Sequence, residues 1–297
     1  MLDYPAIAAV AAVIEEGTFE RAAMVLGITP SAVSQRVRGL EERLGGVLIV
    51  RGLPCKPTAL GQTLCAHFTR VRLLETELGP DLAPDGKDHR HLSLKVAVNS
   101  DSLATWFPEA AKRFGAVQGT PLDLVLDDEA HTAERLRSGE VVAAITAEAD
   151  GVQGCRKIPL GALPYAACAS PDFVARFFPA GVSAQALANA PCLRFDRRDG
   201  LQARWARETM DVEIDPPIYS VASTHAFIDL AVAGLAWGMQ PVMLARPHLN
   251  AGTLVELVPG TEIAVALNWI VARLPVAALD RLTDAVRAAA NQALLHP

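Results

Sequence analysis

The sequence predicts an α/β ligand-binding domain of two lobes, preceded by a winged helix-turn-helix head and a linker helix. Three observations carry this prediction. The chain of 297 residues is about twice as long as one typical domain. Its first eighty residues contain short amphipathic helices separated by glycine turns. From residue 92 onward, apolar strands alternate with helices, as they do in α/β folds.

Composition excludes several classes of protein. Hydrophobic residues make up 51% of the chain and charged residues 20%, so the chain has ample material for a core and is not disordered. No run of about 18 apolar residues occurs, and residues 1–5 lack a basic segment. We therefore expect no spanning helix, no signal peptide, no membrane partner and a cytoplasmic location. The five scattered cysteines argue for a reducing compartment and against a zinc site, so we expect no metal and no other cofactor.

Charge is unevenly distributed along the chain. The formal net charge is −6, yet residues 1–80 hold eight basic and eight acidic residues and are neutral. Within residues 29–57, five basic residues face only two acidic ones. Such a basic segment in an acidic protein is typical of a module that contacts phosphates, although a solvated helix face has the same composition.

The head is predicted to hold three helices. The first has a continuous apolar face and ends at Gly17, and Thr18 is placed to cap a second helix over residues 19–26. Gly27 follows as a left-handed C-terminal residue. Thr29 and Pro30 then begin a third helix that ends near residue 44. Two short helices joined by a glycine turn indicate a helix-turn-helix.

The third helix has two unlike faces. Its apolar residues lie on one side, and hydroxyl, amide and guanidinium groups that bond phosphates and base edges lie on the other. A strand, loop and returning strand over residues 47–58 would form a wing beside the DNA backbone. The alternative is an ordinary amphipathic helix with a polar outer face. The predicted DNA-binding residues are Ser31, Ser34, Gln35, Arg36, Arg38, Arg51 and Lys56.

A fourth helix is predicted from Thr58 to about residue 78. Its apolar stripe repeats every three or four residues, as in a coiled coil, which favours a seam between two subunits. The alternative is a helix that packs on its own domain. The predicted dimerisation residues are Leu60, Leu64, Phe68, Val71 and Leu74. We therefore divide the chain into a head (1–58), a linker and dimerisation helix (59–79), a hinge rich in Pro, Gly and Asp (80–91) and an effector domain (92–297).

The effector domain is predicted to contain largely parallel sheets. Its roughly 205 residues are generous for one sheet, so we expect two lobes and a cleft. The predicted strands lie at 92–98, 122–126, 141–145, 163–168, 192–195, 218–221, 235–239 and 267–271. The predicted helices lie at 102–114, 132–137, 172–177, 200–210, 224–233 and 276–294.

Ligands of open α/β sheets bind outside the carboxyl ends of the strands. After the first strand, Asn99, Ser100 and Ser102 open a helix whose N–H groups and hydroxyls suit a carboxylate, although a plain N-cap explains them equally. After the second strand, Asp128 and Glu129 suit a cationic group, unless they form a solvated loop. Thr146 and Thr224 add hydroxyls at further strand and helix ends. No catalytic motif or metal-ligand spacing accompanies them, so we do not expect an enzyme.

These motifs resemble those of the LysR-type transcriptional regulators, in the branch that controls arginine and lysine export. The resemblance rests on Phe19-Glu20-Arg21-Ala22-Ala23, Thr29-Pro30-Ser31-Ala32-Val33-Ser34-Gln35-Arg36-Val37, Pro57-Thr58-x-x-Gly61, Val98-Asn99-Ser100-Asp101-Ser102 and Glu134-Arg135-Leu136-x-x-Gly139. It implies a domain like that of periplasmic binding proteins, with lobe one at 92–164 and 268–297 and lobe two at 165–267. It also implies that lysine or arginine is the effector and that an exporter gene is the target. The expected partners are double-stranded DNA, RNA polymerase and a second copy of the chain, in a homodimer or homotetramer.

Two alternatives stay open at this point. The first is a LysR-type regulator with a different small-molecule effector. The second belongs to another class: a solute-binding protein or a small α/β enzyme of the same two-lobed fold. A transport component would need an export signal, and an enzyme would not need a winged head.

Overall fold

The structure, a computed structural model, describes residues 2–76, 93–116, 121–126, 132–147 and 150–296. The predicted hinge at 80–91 lies outside the described residues. Among the helices that are described, none has both the length and the apolar character needed to cross a bilayer.

The head contains three helices and a short hairpin, as the sequence predicts. Its elements are α1 (Tyr4–Glu16), α2 (Phe19–Leu26), α3 (Pro30–Leu44), β1 (Ile49–Val50) and β2 (Lys56–Pro57). The predicted caps form, because Thr18 Oγ1 accepts from the Arg21 amide at 3.2 Å and Thr29 Oγ1 accepts from the Ala32 amide at 3.2 Å. Gly27 adopts φ +65° and ends α2, which sets the turn into α3.

The linker helix α4 (Ala59–Thr76) packs on both domains. At its start, a Cβ on Gly61 would overlap the Leu48 carbonyl oxygen, so only glycine allows this close approach to the wing. Further along, a Cβ on Gly139 would lie 2.7 Å from Ala66 Cβ, and Leu73 joins the core of the effector domain. The helix thus connects the head to lobe one through direct contacts.

Lobe one is built on strands β3 (Leu94–Val98), β4 (Leu122–Leu126) and β5 (Ala143–Thr146), in the order β5-β3-β4 with parallel pairing. Helices α5 (Ser100–Ala104), α6 (Phe107–Gly115), α7 (Thr132–Arg137) and α13 (Ala277–Ala293) surround them. The prediction of a single helix over residues 102–114 is wrong. The helix is divided at Thr105 and Trp106, because Pro108 lacks an N–H and begins a new helix.

Two long strands, β6 (Cys155–Ala169) and β11 (Ile263–Ala272), run antiparallel from one lobe to the other. β5 pairs with the second half of β11, whereas β9 (Gly238–Pro241) and β10 (Val255–Glu256) pair with the last residues of β6. The prediction of largely parallel sheets is therefore wrong in the centre of the domain. A chain that crosses between lobes twice must return in the opposite direction, which makes the shared strands antiparallel.

Lobe two carries the remaining elements. They are α8 (Pro171–Phe177), α9 (Ala184–Asn189), β7 (Cys192–Arg194), α10 (Leu201–Met210), β8 (Ile218–Ser220), α11 (Thr224–Val232) and α12 (Val242–Ala251). β7 pairs in parallel with β8, and a single bridge from Cys192 to Trp237 joins them to the strand leading into β9. The cleft between the lobes therefore lies beside β6, β9 and β11. The predicted lobe boundaries, 164/165 and 267/268, fall inside β6 and β11.

Candidate DNA-binding surface and effector cleft

The outer face of α3 presents the predicted polar side chains to solvent. Val33, Val37 and Leu40 are at most 2% exposed and anchor the inner face in the head's core. Ser31, Gln35, Arg36 and Arg38 are exposed, and Ser34 is half-buried. A rigidly anchored helix with a free polar face has the form needed to enter a DNA major groove.

The wing is fixed against the turn between α1 and α2. The Cys55 amide donates to the Gly17 carbonyl at 2.7 Å, and the Arg51 guanidinium lies 5.4 Å from the centre of the Phe19 ring. Lys56 is exposed at the returning strand. The structure therefore places the Arg51 charge beside the first residue of α2 and leaves Lys56 exposed on the wing.

The predicted seam on α4 divides into two groups. Leu64 is 8% exposed and belongs to the head's own core, against which Phe68 also packs. Leu60 is 40% exposed, Leu74 is 38% exposed and Val71 is half-buried. The residues that face outward from the single chain are therefore Leu60 and Leu74, with Val71 beside them.

A cavity of about 560 Å³ lies between the two lobes. Its wall combines polar groups of both lobes with apolar residues of the crossing strands, which is the composition of a small-molecule site. Its lining includes Asn99, Ser100, Asp101, Tyr165, Asp196, Arg198, Asp199, Arg204, Thr224, Phe227 and Gln240.

Asp101 is at the centre of a hydrogen-bond network that joins the lobes. The Tyr165 hydroxyl donates to Asp101 Oδ2 at 2.6 Å, and the Thr224 hydroxyl donates to Oδ1 at 2.7 Å. Ser100 Oγ lies 2.7 Å from Thr224 Oγ1. Thr224 belongs to lobe two and Asp101 to lobe one, so these contacts cross the cleft.

Burial raises the pKa of Asp101 above its ordinary value of 3.8. The hydrogen bonds from Tyr165 and Thr224 oppose this effect, and the negative charge of Asp199 adds to it. Asp199 is itself held by the amides of Phe195 and Leu201, at 2.8 and 3.1 Å. The cleft therefore holds carboxylates from both lobes that repel each other.

The structure brings only some of the predicted effector residues together. Asn99, Ser100 and Thr224 line the cleft. Ser102 and Thr146 do not, so their assignment is wrong. Ser102 is fully buried and accepts from Trp106 Nε1 at 3.1 Å, because two residues along a helix turn a side chain to the opposite face. Thr146 is fully buried within β5, opposite Asn268. Asp128 and Glu129 lie outside the described residues.

Sequence reasoning missed several lining residues. Asp101 stood inside a motif that had been assigned to anion binding, and its own negative charge was the signal against that assignment. Asp196 and Asp199 follow β7, and acidic residues just after a strand are the signal that could have indicated them. Gln240 follows an apolar run that was predicted to be a strand, and an amide at the end of a buried strand is itself an unusual signal. Across the described ranges, no group of three or more His, Cys, Asp or Glu residues is placed to hold a metal.

A DNA-reading head joined to a two-lobed cleft that accepts a small molecule defines a ligand-responsive transcriptional regulator. Residues 5–62 match the bacterial regulatory helix-turn-helix protein family, lysR type, and residues 87–291 match the LysR substrate binding domain. The chain belongs to the LysR family of transcriptional regulators.

Three relatives refine this assignment. The HTH-type transcriptional regulator ArgP of Pseudomonas aeruginosa (strain UCBPP-PA14) is 42% identical over 299 residues, which cover 100% of this chain and 98% of the relative. The crystal structure of ArgP from Mycobacterium tuberculosis matches with a TM-score of 0.85 and 40% identity over all of both chains. Full-length LysG from Corynebacterium glutamicum, with bound effector Arg, matches with a TM-score of 0.76 and 35% identity over 99% of this chain and 100% of LysG. The similarity to regulators over the full length decides against a transport component or an enzyme.

Proposed function

We propose that this regulator binds a basic amino acid, arginine or lysine, and controls a gene for amino-acid export. Two independent lines support the proposal. The sequence resembles the export regulators, and a relative of similar fold has arginine bound as its effector. Separately, the cleft holds three carboxylates, Asp101, Asp196 and Asp199, beside the guanidinium groups of Arg198 and Arg204, which suits a ligand that carries charges of both signs.

The observation that carries the proposal is the pair of carboxylates on opposite lobes. Asp101 is desolvated, and Asp199 raises its pKa further. An ammonium or guanidinium group between them would form charge-assisted hydrogen bonds and remove their repulsion. Because one carboxylate lies on each lobe, a cation would stabilise the closed cleft more than an open one, which is the differential binding that regulation requires.

We do not place the effector's carboxylate at the start of α5, where the sequence predicts it. α5 has only five residues, and Asp101 lies in its first turn. A carboxylate bound there would lie beside a buried negative charge. We therefore assign Ser100 to the network that supports Asp101 and not to anion binding.

We assign the head to double-stranded operator DNA. Gln35 reads base edges, Ser31, Ser34 and Arg38 contact bases or phosphates, and Arg36, Arg51 and Lys56 contact phosphates. Two heads act together when α4 pairs with a second copy through Leu60, Val71 and Leu74, in a homodimer or homotetramer. RNA polymerase is the further partner that transcription requires.

Isothermal titration of the full chain tests the effector. We expect heat with arginine and lysine. We expect little with citrulline, which has the length of arginine without its charge, or with norleucine, which is lysine without its terminal amine. Asp101→Asn should weaken arginine binding by about 100-fold, the scale for removing a charge from a buried pair. Asp215→Asn is the control, because it removes the same charge from an exposed position outside the cleft. Equal binding of norleucine and lysine would exclude the cationic site and leave a regulator with a different effector.

A gel-shift titration with the DNA upstream of the chain's own gene tests the rest of the proposal. The protein should bind this DNA more tightly than random sequence, and arginine should change the affinity or the mobility of the complex. A typical coupling changes affinity by about 5- to 150-fold. Binding of arginine without any change in the DNA complex would separate ligand binding from regulation.

A further inference from the structure

One fully buried glutamine in the cleft wall makes no side-chain hydrogen bond among the described residues. Gln240 lies on β9 opposite Ala166 of β6 and is 0% exposed. Neither Oε1 nor Nε2 has a hydrogen-bond partner among the described residues, although the residue lines the cleft. Buried amides in proteins are nearly always hydrogen-bonded, so an unpartnered one calls for an explanation.

A second glutamine of the same lobe shows what a structural role looks like. Gln202 is 5% exposed, and its Nε2 donates to the Leu193 carbonyl at 2.9 Å and to Asp199 Oδ2 at 3.0 Å. Both its donor bonds stabilise the lobe. Gln240 has equal chemistry and deeper burial, but it makes no such bond within the described chain. Burial of its amide therefore costs desolvation free energy that no hydrogen bond within the described chain offsets.

A buried acceptor of lobe one also lacks a hydrogen-bond partner among the described residues. Asn99 follows β3 at the N-cap position of α5, but its side chain makes no capping bond. Its Oδ1 is buried without a partner among the described residues, and the residue lines the same cleft. The cleft thus holds an unpartnered donor and acceptor from lobe two and an unpartnered acceptor from lobe one.

We infer that Gln240 binds the α-amino-acid end of the effector. Nε2 donates to the α-carboxylate and Oε1 accepts from the α-ammonium, while Asn99 Oδ1 accepts a second ammonium proton from the opposite lobe. A zwitterion carries an acceptor and a donor on one carbon, and a primary amide offers the complementary donor and acceptor on one group. The side-chain cation then extends to Asp101 and Asp199. This inference rests on the proposed function and adds what distinguishes an amino acid from an amine.

Titration with L-arginine and agmatine tests the inference, because agmatine is arginine without the α-carboxylate. The variant Gln240→Met keeps the length of the side chain and removes both polar atoms. We expect it to weaken arginine by about 10- to 100-fold, the scale for hydrogen bonds to charged groups, and agmatine by less than arginine, because agmatine keeps the ammonium that Oε1 accepts from but lacks the carboxylate that Nε2 donates to. The ligand-free variant should unfold at the same temperature as the wild type or a higher one, because an unpartnered amide has been removed.

A second variant carries its own control for folding, because it should lose one ligand and retain the other. Gln240→Glu retains the shape and the acceptor but replaces the donor with a charge that repels the α-carboxylate. It should lose arginine and retain agmatine. The control Gln202→Met should lower the unfolding temperature, because it breaks two bonds within lobe two.

The outcomes separate the two proposals. Wild-type protein that binds neither arginine nor lysine would overturn the proposed function and this inference with it. Wild-type protein that binds arginine, together with a Gln240→Met variant that weakens arginine and agmatine equally or loses stability as Gln202→Met does, would overturn the inference alone. Undiminished arginine binding by Gln240→Glu would also overturn it.

Discussion

The head and the cleft differ in how their functional residues are brought together. The DNA-binding residues lie within one short stretch, residues 31–56, and most lie on a single helix. The cleft assembles polar side chains from five separate segments, represented by Asp101, Tyr165, Asp199, Thr224 and Gln240. Helix periodicity and caps determine the first surface, whereas strand pairing between distant segments determines the second. A local rule is therefore sufficient for the head and insufficient for the cleft.

Substitutions of two leucines in α4 test this comparison most directly and are expected to have the largest effect. Leu64→Glu would place an unpaired charge in the head's core, which costs more than about 4 kcal/mol and should unfold the head. Leu74→Glu alters a position that is exposed in the single chain, so it should leave the free energy of unfolding of the dissociated chain within about 0.5 kcal/mol of wild type. Circular dichroism with urea titration measures both effects.

The same pair of variants also locates the subunit seam. Sedimentation of Leu74→Glu should show a weakened oligomer of folded chains, because its charge would lie between two linker helices. A Leu74→Glu protein with the wild-type sedimentation coefficient, together with a folded Leu64→Glu monomer, would place Leu64 in the seam and remove Leu74 from it.

Most of the head could be predicted because each signal is local. Thr18 and Thr29 cap the helices that follow them, and Gly27 ends α2 in the left-handed conformation. The inner and outer faces of α3 follow from its 3.6-residue period. Periodicity places Leu64 on the apolar face of α4, but it does not show how α4 crosses the head. That crossing puts Leu64 in the head's own core.

The sequence predicts where the cleft lies but not most of the side chains that line it. Strand ends indicated Asn99, Ser100 and Thr224, and the structure brings these into the cavity. The assignment of Ser102 to the effector site is wrong because a position just after a strand does not determine which way a side chain points from the helix that follows. Gln240 was missed because its position depends on the long pairing of β6 with β9 and β11, which joins residues 70 to 117 apart in the chain. Asp199 was missed because it reaches the same cavity from lobe two.

The second largest effect is expected on α3. Gln35→Ala should weaken operator binding by about 1–3 kcal/mol and change random DNA binding little, since its amide reads base edges and not phosphates. Arg36→Ala should weaken both DNAs alike and reduce the salt dependence of binding by about one unit. Fluorescence anisotropy at two salt concentrations measures these effects. Equal losses on both DNAs for Gln35→Ala would remove it from base readout.

A smaller effect tests the local rule itself. Thr29→Ala removes the cap of α3 and should lower the stability of the head by about 1 kcal/mol. Thr63→Ala is the matched control, because that hydroxyl only returns to the Ala59 carbonyl of its own helix at 3.0 Å, and alanine is the better helix former. Urea unfolding compares the two. A Thr29→Ala head as stable as wild type would mean that tertiary packing, and not the cap, fixes where α3 begins.

The smallest effect belongs to the cleft and depends on pH. Because the pKa of Asp101 is raised by burial, the folded protein holds its proton more tightly than the unfolded chain does. The contribution of Asp101 to stability is therefore greatest below 3.8 and declines as the pH rises through the raised pKa, while hydrogen bonds from Tyr165 and Thr224 keep the decline small. Asp101→Asn has no such decline, so its unfolding temperature should rise relative to wild type with increasing pH and then level off. Thermal unfolding in a pH series measures this difference. Arginine should reduce it in wild-type protein, because a bound cation stabilises the charged carboxylate. A difference that instead grew towards acid would mean that the fold lowers the pKa of Asp101 and stabilises its charged form without a bound cation.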